Sequence, residues 1–166
     1  MDKKKIFISS LFSLYFIYYI YTYTQWHFLD NVNLVIHEAG HIVFMFFGEF
    51  MHILGGSLFQ VLFPFIFVIY FFRQKDYFSA SIVLFWVGQN LINVSVYASD
   101  AIAMNLPLLG GDSSGHDWHN LLVMTNLLPY TRVIGESIFV LGVTTIVLAI
   151  YYSFYNSRLE EIQPQS

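Results

Sequence analysis

Long apolar segments recur along nearly the whole chain, and this recurrence constrains the fold more than any other feature. Of the 166 residues, 57% are hydrophobic and only 11% are charged, which is under half the charged fraction usual for a soluble domain. Because a backbone inside a bilayer must satisfy its own hydrogen bonds, such segments are expected to span the membrane as helices. The sequence therefore predicts an all-α integral membrane protein with one polytopic domain at residues 1–156.

Polar and glycine-rich breaks divide the apolar sequence into about five predicted transmembrane helices. They are expected at residues 6–24, 30–47, 58–72, 78–104 and 133–155, followed by a polar tail at 157–166. Gly55 and Gly56 interrupt the segment Met51–Gln60, which is therefore predicted to be a connecting loop, or a re-entrant loop or strand edge that could hold an unwound substrate. Pro64 is expected to kink the third helix.

The charged residues are too few and too dispersed to recruit nucleic acid. Basic residues cluster at Lys3, Lys4 and Lys5, ahead of a first helix that lacks a small-residue cleavage site and is interpreted as an uncleaved anchor. With this end in the cytoplasm, four basic residues lie on the cytoplasmic side and three on the opposite side. The sequence thus predicts a multi-pass protein of the cell membrane, with a cytoplasmic N-terminus, that contacts the lipid bilayer and no nucleic acid.

The segment LVIHEAGHIVF at residues 34–44 places three ionisable side chains inside an apolar run. His37 and His41 are four residues apart, so on a helix their imidazoles share one face and can bind one metal ion. Glu38 completes the pattern H-E-x-x-H, in which two histidines bind zinc and the carboxylate takes a proton from zinc-bound water. Ionisable groups at membrane depth cost about 2.5 to 3.5 kcal/mol each, so an ion and a water-filled cavity are expected around them.

These five residues resemble the zinc motif of the site-2 protease family of intramembrane metalloproteases. In that family an HExxH helix and a distant aspartate hold one zinc ion, and the glutamate activates water to cleave transmembrane substrates. The family's second motif, an Asn and a Pro followed by Asp-Gly, has imperfect counterparts in NLPLLGGD at 105–112 and NLLP at 126–129. The resemblance implies a divergent zinc metallopeptidase that hydrolyses peptide bonds of membrane protein or peptide substrates.

A hydrolytic zinc site needs a third protein ligand, because such sites hold three side chains and keep one position open. The chain has no cysteine, so this ligand must be His, Asp or Glu, and GDSSGHDWHN at 111–120 is the densest supply. Asp117 is the first choice, since it follows Gly115 at a predicted helix start and the resemblance implies a carboxylate. Capping of a surface helix is the competing explanation for Asp117. The alternative ligands are His116, Asp112, His119 and Asp100.

A file of polar side chains runs along the predicted fourth helix. Gln89, Asn93 and Tyr97 follow at spacings of four and Asp100 comes three later, so they share one face, which is expected to look into the protein. There they could support the metal ligands by hydrogen bonding, contact substrate, or only join helices. The alternative function is a non-proteolytic metal-binding or transport protein, or an inactive relative that acts as an interaction partner. Such a protein would tolerate Glu38→Gln better than a hydrolase.

Overall fold

The computed structural model describes residues 2–107 and 115–159, and both ranges are helical with no strand. Six α-helices follow one another: α1 (Lys3–Tyr21), α2 (Phe28–Phe44), α3 (Glu49–Arg73), α4 (Tyr77–Ser99), α5 (Asp117–Met124) and α6 (Thr131–Leu159). Short 3₁₀ turns at Met45–Phe47 and Leu128–Tyr130 follow α2 and precede α6. The predicted all-α fold class is therefore confirmed for the described residues.

Three segments of the described chain are long and apolar enough to cross a membrane: Glu49–Arg73, Tyr77–Ser99 and Leu128–Arg158. Large apolar side chains such as Ile66 and Val140 point outward from them, with exposed fractions of 56% and 61%. These features are consistent with an integral membrane protein. With its 17 residues α2 is about 26 Å long, slightly less than a hydrocarbon core of about 30 Å. Membrane crossing by α1 and α2 stays a prediction.

Helix α4 is the centre of the bundle. Over the most apolar part of each helix, 56% of the α4 residues are buried, against 28% in α3 and 22% in the α6 segment. One apolar core joins α4 to α1 and α6 and consists of Phe16, Tyr19, Phe85, Ile92, Ile146 and Ala149. Because α1 and α6 cover this side, the polar face of α4 is left to meet α2 and α3.

Two glycines allow α2 and α3 to pack closely. A Cβ on Gly55 would lie 2.7 Å from the carbonyl oxygen of Gly40, a distance that no real Cβ adopts. A Cβ on Gly40 would in turn collide with the backbone carbonyl group of Gly55. Small residues at a helix crossing let two backbones approach in this way. The close approach brings the face of α2 that carries the histidine pair against α3.

The predicted loop at Met51–Gln60 is wrong, because α3 runs through it from Glu49. A glycine inside a helix costs about 1 kcal/mol relative to alanine. Here Gly55 and Gly56 are buried against α2, and this packing compensates for their low helix propensity. Pro64 lies inside the same helix.

The predicted end of the fourth helix near Met104 is also wrong. Helix α4 ends at Ser99, and the Asp100 carboxylate accepts hydrogen bonds from the backbone N–H groups of Asn105 (3.0 Å) and Leu106 (2.9 Å). These bonds stabilise a turn in place of further helix.

The other three predicted helices agree with α1, α2 and α6 to within about one turn. The predicted tail at 157–166 begins inside α6, and residues 160–166 lie outside the described ranges.

Candidate metal centre

Helices α2 and α5 bring the three predicted metal ligands together. His37 Nε2 lies 2.9 Å from Asp117 Oδ2, and His41 Nε2 lies 3.2 Å from the same oxygen. One ligand atom from each residue lies within 4.8 Å of the other two. Within residues 2–107 and 115–159, this is the one cluster of three or more metal-ligating side chains, and it could hold a metal ion.

The dimensions of the cluster suit a small tetrahedral ion. Nitrogen and oxygen ligands lie about 2.0 to 2.1 Å from zinc, so two of them at a tetrahedral angle are about 3.3 Å apart. The 3.2 Å contact of His41 already has this length, and the 2.9 Å contact of His37 would widen by about 0.4 Å. The His37, His41 and Asp117 side chains are 8%, 17% and 14% exposed, so the cluster is mostly buried but still accessible to solvent.

Gly56 of α3 provides the space in front of the two imidazoles. A Cβ at this position would lie 2.5 Å from His37 Nε2 and 2.6 Å from His41 Nε2. Close-packed interiors do not tolerate such contacts, so any larger residue would displace the histidines. Helix α3 thus forms one wall of the candidate centre.

Both histidines are oriented by hydrogen bonds at Nδ1. The Nδ1–H of His41 donates to the backbone carbonyl oxygen of His52 at 2.8 Å, and that of His37 donates to Gln60 Oε1 at 3.1 Å. These oxygens only accept hydrogen bonds, so Nε2 is the nitrogen left to bind a metal. Metal-ligating histidines generally donate their other ring N–H to an acceptor of this kind.

Asp117 is positioned by contacts to α4 and α3. Its backbone N–H donates to the hydroxyl of Tyr97 at 2.9 Å, and the indole N–H of the next residue, Trp118, donates to Ser57 Oγ at 3.0 Å. Burial works to raise the pKa of the Asp117 carboxyl, but when no metal is bound the hydrogen bonds from Nε2 of His37 and His41 outweigh it and lower that pKa below its usual value. Asp117 is therefore ionised at neutral pH, as a metal ligand must be.

We expect Tyr97→Phe to weaken zinc binding about fivefold, equivalent to about 1 kcal/mol, because it leaves the Asp117 N–H without an acceptor. The measurement is zinc affinity in detergent by competition with a chromogenic chelator. Tyr70→Phe on the exposed surface of α3 is the matched control and should bind zinc like the unaltered protein. Equal affinity for Tyr97→Phe would show that Tyr97 does not position the carboxylate.

A cavity of about 830 Å³ lies against the cluster. Its lining includes Glu38, Trp26, Leu34 and Pro107, together with the three candidate ligands. The Glu38 side chain is exposed, and it follows His37 directly on α2. This volume is within the range of ligand-binding sites, and the mixture of apolar and amide groups could accept an extended peptide segment.

The alternative ligands lie elsewhere. His116 is fully buried with its Nε2 3.3 Å from Asp100 Oδ2, and the Nδ1–H of His119 donates to the carbonyl oxygen of Ala101 at 2.8 Å. These contacts hold the start of α5 against the end of α4. Asp112 lies outside the described residues.

The polar file of α4 faces α2, α3 and α5. Gln89 is fully buried and its Nε2 donates to Asp30 Oδ1 at 2.7 Å. Asn93 Oδ1 accepts from Gln60 Nε2 at 2.8 Å, and Tyr97 contacts Asp117 as described above. Of these, Asn93 and Tyr97 also line the cavity.

Sequence reasoning missed the contribution of α3. His52, Gly56 and Gln60 are spaced by four, so they lie on one face of a helix. The spacing is visible in the sequence, but it places the three residues on one face only if a helix begins before residue 52. Gly55 and Gly56 disfavour such a helix when the segment is considered alone.

No protein-family model, curated protein or solved structure matches this chain. The resemblance of the HEAGH segment to the site-2 protease family therefore stays an expectation. The geometry of the site itself indicates that it could hold a metal ion.

Proposed function

We propose that this protein is a membrane-embedded zinc metallopeptidase that hydrolyses peptide bonds of membrane protein substrates. The observation that carries the proposal is the convergence of His37, His41 and Asp117, with ligand atoms within 4.8 Å of one another, at a cavity that Glu38 also lines. Two histidines and one carboxylate are a donor set of hydrolytic zinc sites. The likeness of the HEAGH segment to the site-2 protease motif supports the same reaction, in a divergent branch of that family.

Each side chain has a separate role in the proposed reaction. Zinc, when bound, lowers the pKa of a water molecule to about 7 and polarises the peptide carbonyl. His37, His41 and Asp117 hold the ion. Glu38 is the general base that accepts a proton from the water, and its exposure to the cavity leaves it free to do so.

The proposal includes a membrane arrangement in which α1 and α2 also cross, making five spans with a cytoplasmic N-terminus. Outward-facing Val35 and Ile42 on α2 are 70% and 67% exposed, as lipid-facing side chains would be. His37 is nine residues from the start of α2, or about 14 Å along its axis, which is membrane depth if α2 crosses. Substrates would then be hydrolysed within the bilayer, in the cavity beside the cluster.

The metal content of detergent-purified protein tests the proposal. We expect one zinc ion per chain in the unaltered protein, and loss of zinc in both His37→Ala and Asp117→Ala, because each removes one of three ligands. The measurement is elemental analysis after reconstitution with zinc and removal of excess metal.

His119→Ala is the control, since His119 bonds to Ala101 and lies outside the cluster. It should keep its zinc. Zinc retained in Asp117→Ala would move the third ligand elsewhere, and absence of zinc from every sample would contradict the peptidase proposal.

A further inference from the structure

His37 and His41 differ in the kind of group that orients them. The acceptor for His41 is a backbone carbonyl, which cannot change its role. The acceptor for His37 is the side-chain amide of Gln60, which could turn over and present its NH₂ group instead. Nδ1 of His37 would then have to accept, and the proton would stay on Nε2, the nitrogen that faces Asp117. Metal binding at His37 thus depends on what holds the Gln60 amide.

The Gln60 amide is held by hydrogen bonds that lead to Asp30. Gln60 Nε2 donates to Asn93 Oδ1 at 2.8 Å, and Asn93 Nδ2 donates to Asp30 Oδ1 at 3.1 Å. Asp30 is 2% exposed, and its other oxygen, Oδ2, accepts from the backbone N–H of His27 at 2.7 Å. Both oxygens of this carboxylate therefore face donors. We call the series Asp30, Asn93, Gln60 and His37 the Asp30 relay.

An ionised carboxylate only accepts hydrogen bonds, and this sets the direction of the whole relay. Asn93 has to turn its NH₂ group toward Asp30, which leaves its oxygen for Gln60. Gln60 has to turn its NH₂ group toward Asn93, which leaves its oxygen for His37. His37 can either donate or accept at Nδ1, and the relay requires it to donate.

A second series of hydrogen bonds ends on the same carboxylate. Trp86 Nε1 donates to Asn33 Oδ1 at 2.8 Å, Asn33 Nδ2 donates to Gln89 Oε1 at 2.7 Å, and Gln89 Nε2 donates to Asp30 Oδ1 at 2.7 Å. An indole only donates, so the direction of this series is determined at both ends. Asn33 and Gln89 are fully buried, so water does not replace any of these partners. The second series holds Asp30 in place for the first.

We infer that Asp30 is a positioning residue that acts through Asn93 and Gln60 to keep the proton of neutral His37 on Nδ1 and so prepare Nε2 for the metal. The inference rests on the proposed metal centre and deepens it, since Asp30 is three hydrogen bonds away from His37. Partners that orient a metal-binding histidine typically change metal affinity by 10- to 100-fold when they are replaced.

The test first removes one residue of the relay and then places an acceptor-only group directly at His37. Asn93→Leu removes both amide contacts with little change in volume, and we expect it to weaken zinc binding by about tenfold to thirtyfold. Gln60→Glu places an acceptor-only carboxylate directly at His37 Nδ1, so orientation no longer depends on Asn93 or Asp30. The double variant Gln60→Glu/Asn93→Leu should therefore bind zinc within about threefold of the unaltered protein.

Asn90→Leu is the matched control, because Asn90 is a buried asparagine of the same helix that bonds to the Trp86 carbonyl outside the relay. It should lower the melting temperature, because this bond is lost, but leave zinc affinity unchanged. A purely structural role for Asn93 predicts no rescue by Gln60→Glu. Failure of that rescue, or an unchanged affinity in Asn93→Leu, would overturn the inference while the metal centre itself stands.

A second measurement separates the relay from the metal centre. NMR of metal-free Asp117→Ala protein labelled with ¹⁵N-histidine, at a pH where the imidazoles are neutral, reports which ring nitrogen of His37 carries the proton when no carboxylate competes at Nε2. The double variant Asp117→Ala/His37→Ala assigns the signal. We expect Nδ1–H in Asp117→Ala and a mixture of the two forms in Asp117→Ala/Asn93→Leu. If the unaltered protein binds no zinc, the proposed function fails, and this measurement still decides the relay. A predominant Nε2–H form in Asp117→Ala would overturn the relay.

Discussion

Glu38→Gln is expected to keep one zinc ion per chain and to slow peptide hydrolysis by about 10³-fold. General-base catalysis typically contributes about 10²- to 10⁴-fold in rate, and a glutamine of nearly the same size cannot accept the proton. Zinc should be retained because Glu38 lies outside the cluster of three ligands and its side chain is exposed to the cavity. This combination separates a catalytic glutamate from a metal ligand.

The measurement is cleavage of a set of synthetic transmembrane peptides in detergent, followed by mass spectrometry, with zinc content determined on the same samples. Glu49→Gln is the matched control, since Glu49 is an exposed glutamate in the first turn of α3. It should keep both zinc and activity. Loss of zinc in Glu38→Gln would contradict the assigned roles. A zinc-loaded protein that cleaves no peptide would instead favour the metal-binding or transport alternative.

Gly56→Ala is expected to lower zinc affinity by at least about 100-fold. This is at or above the upper end of the effect of replacing a residue that orients a metal-binding histidine. The added Cβ would lie 2.5 Å from His37 Nε2 and 2.6 Å from His41 Nε2, and so in the space in front of both ligand nitrogens. The helix itself should not suffer, because alanine is favoured over glycine in a helix by about 1 kcal/mol. Metal loss with unchanged helicity is the expected result, measured by elemental analysis and circular dichroism.

Two other glycines provide controls for this substitution. Gly115→Ala should bind zinc normally, since a Cβ there meets none of the described residues within 4 Å. Gly88→Ala should lower thermal stability and keep its zinc, because its Cβ would lie 2.6 Å from Ile146, in the contact between α4 and α6. A full zinc complement in Gly56→Ala would mean that α3 does not form a wall of the metal centre.

The part of the candidate centre that lies on single helices could be predicted from spacing alone. His37 and His41 share a face because they are four residues apart, whatever surrounds the helix. The same reasoning grouped Gln89, Asn93 and Tyr97, whose side chains do meet α2, α3 and α5. The prediction of Asp117 as third ligand rests partly on the family resemblance, because local sequence features are also compatible with His116, His119, Asp112 and Asp100.

Helix α3 begins at Glu49 instead of at the predicted residue 58, and this difference shows how tertiary packing overrides local propensity. Gly55 and Gly56 disfavour a helix when the segment is considered by itself. Against α2 they are the residues that permit contact, one with the Gly40 backbone and the other with the histidine pair. A position that is unfavourable locally is therefore required by the neighbouring helix.

The helical class, the apolar surfaces and the histidine pair with its glutamate follow from the amino-acid sequence alone, because composition and helical periodicity are properties of neighbouring residues. The contact of Asp117 with His37, 80 positions away, depends on tertiary packing. The same is true of the hydrogen bonds that join Asp30 to His37 through Asn93 and Gln60. Such contacts join residues of different helices, and they depend on how closely and in which register those helices pack. No local pattern contains that information, since it arises from the shapes of α2, α3, α4 and α5 together.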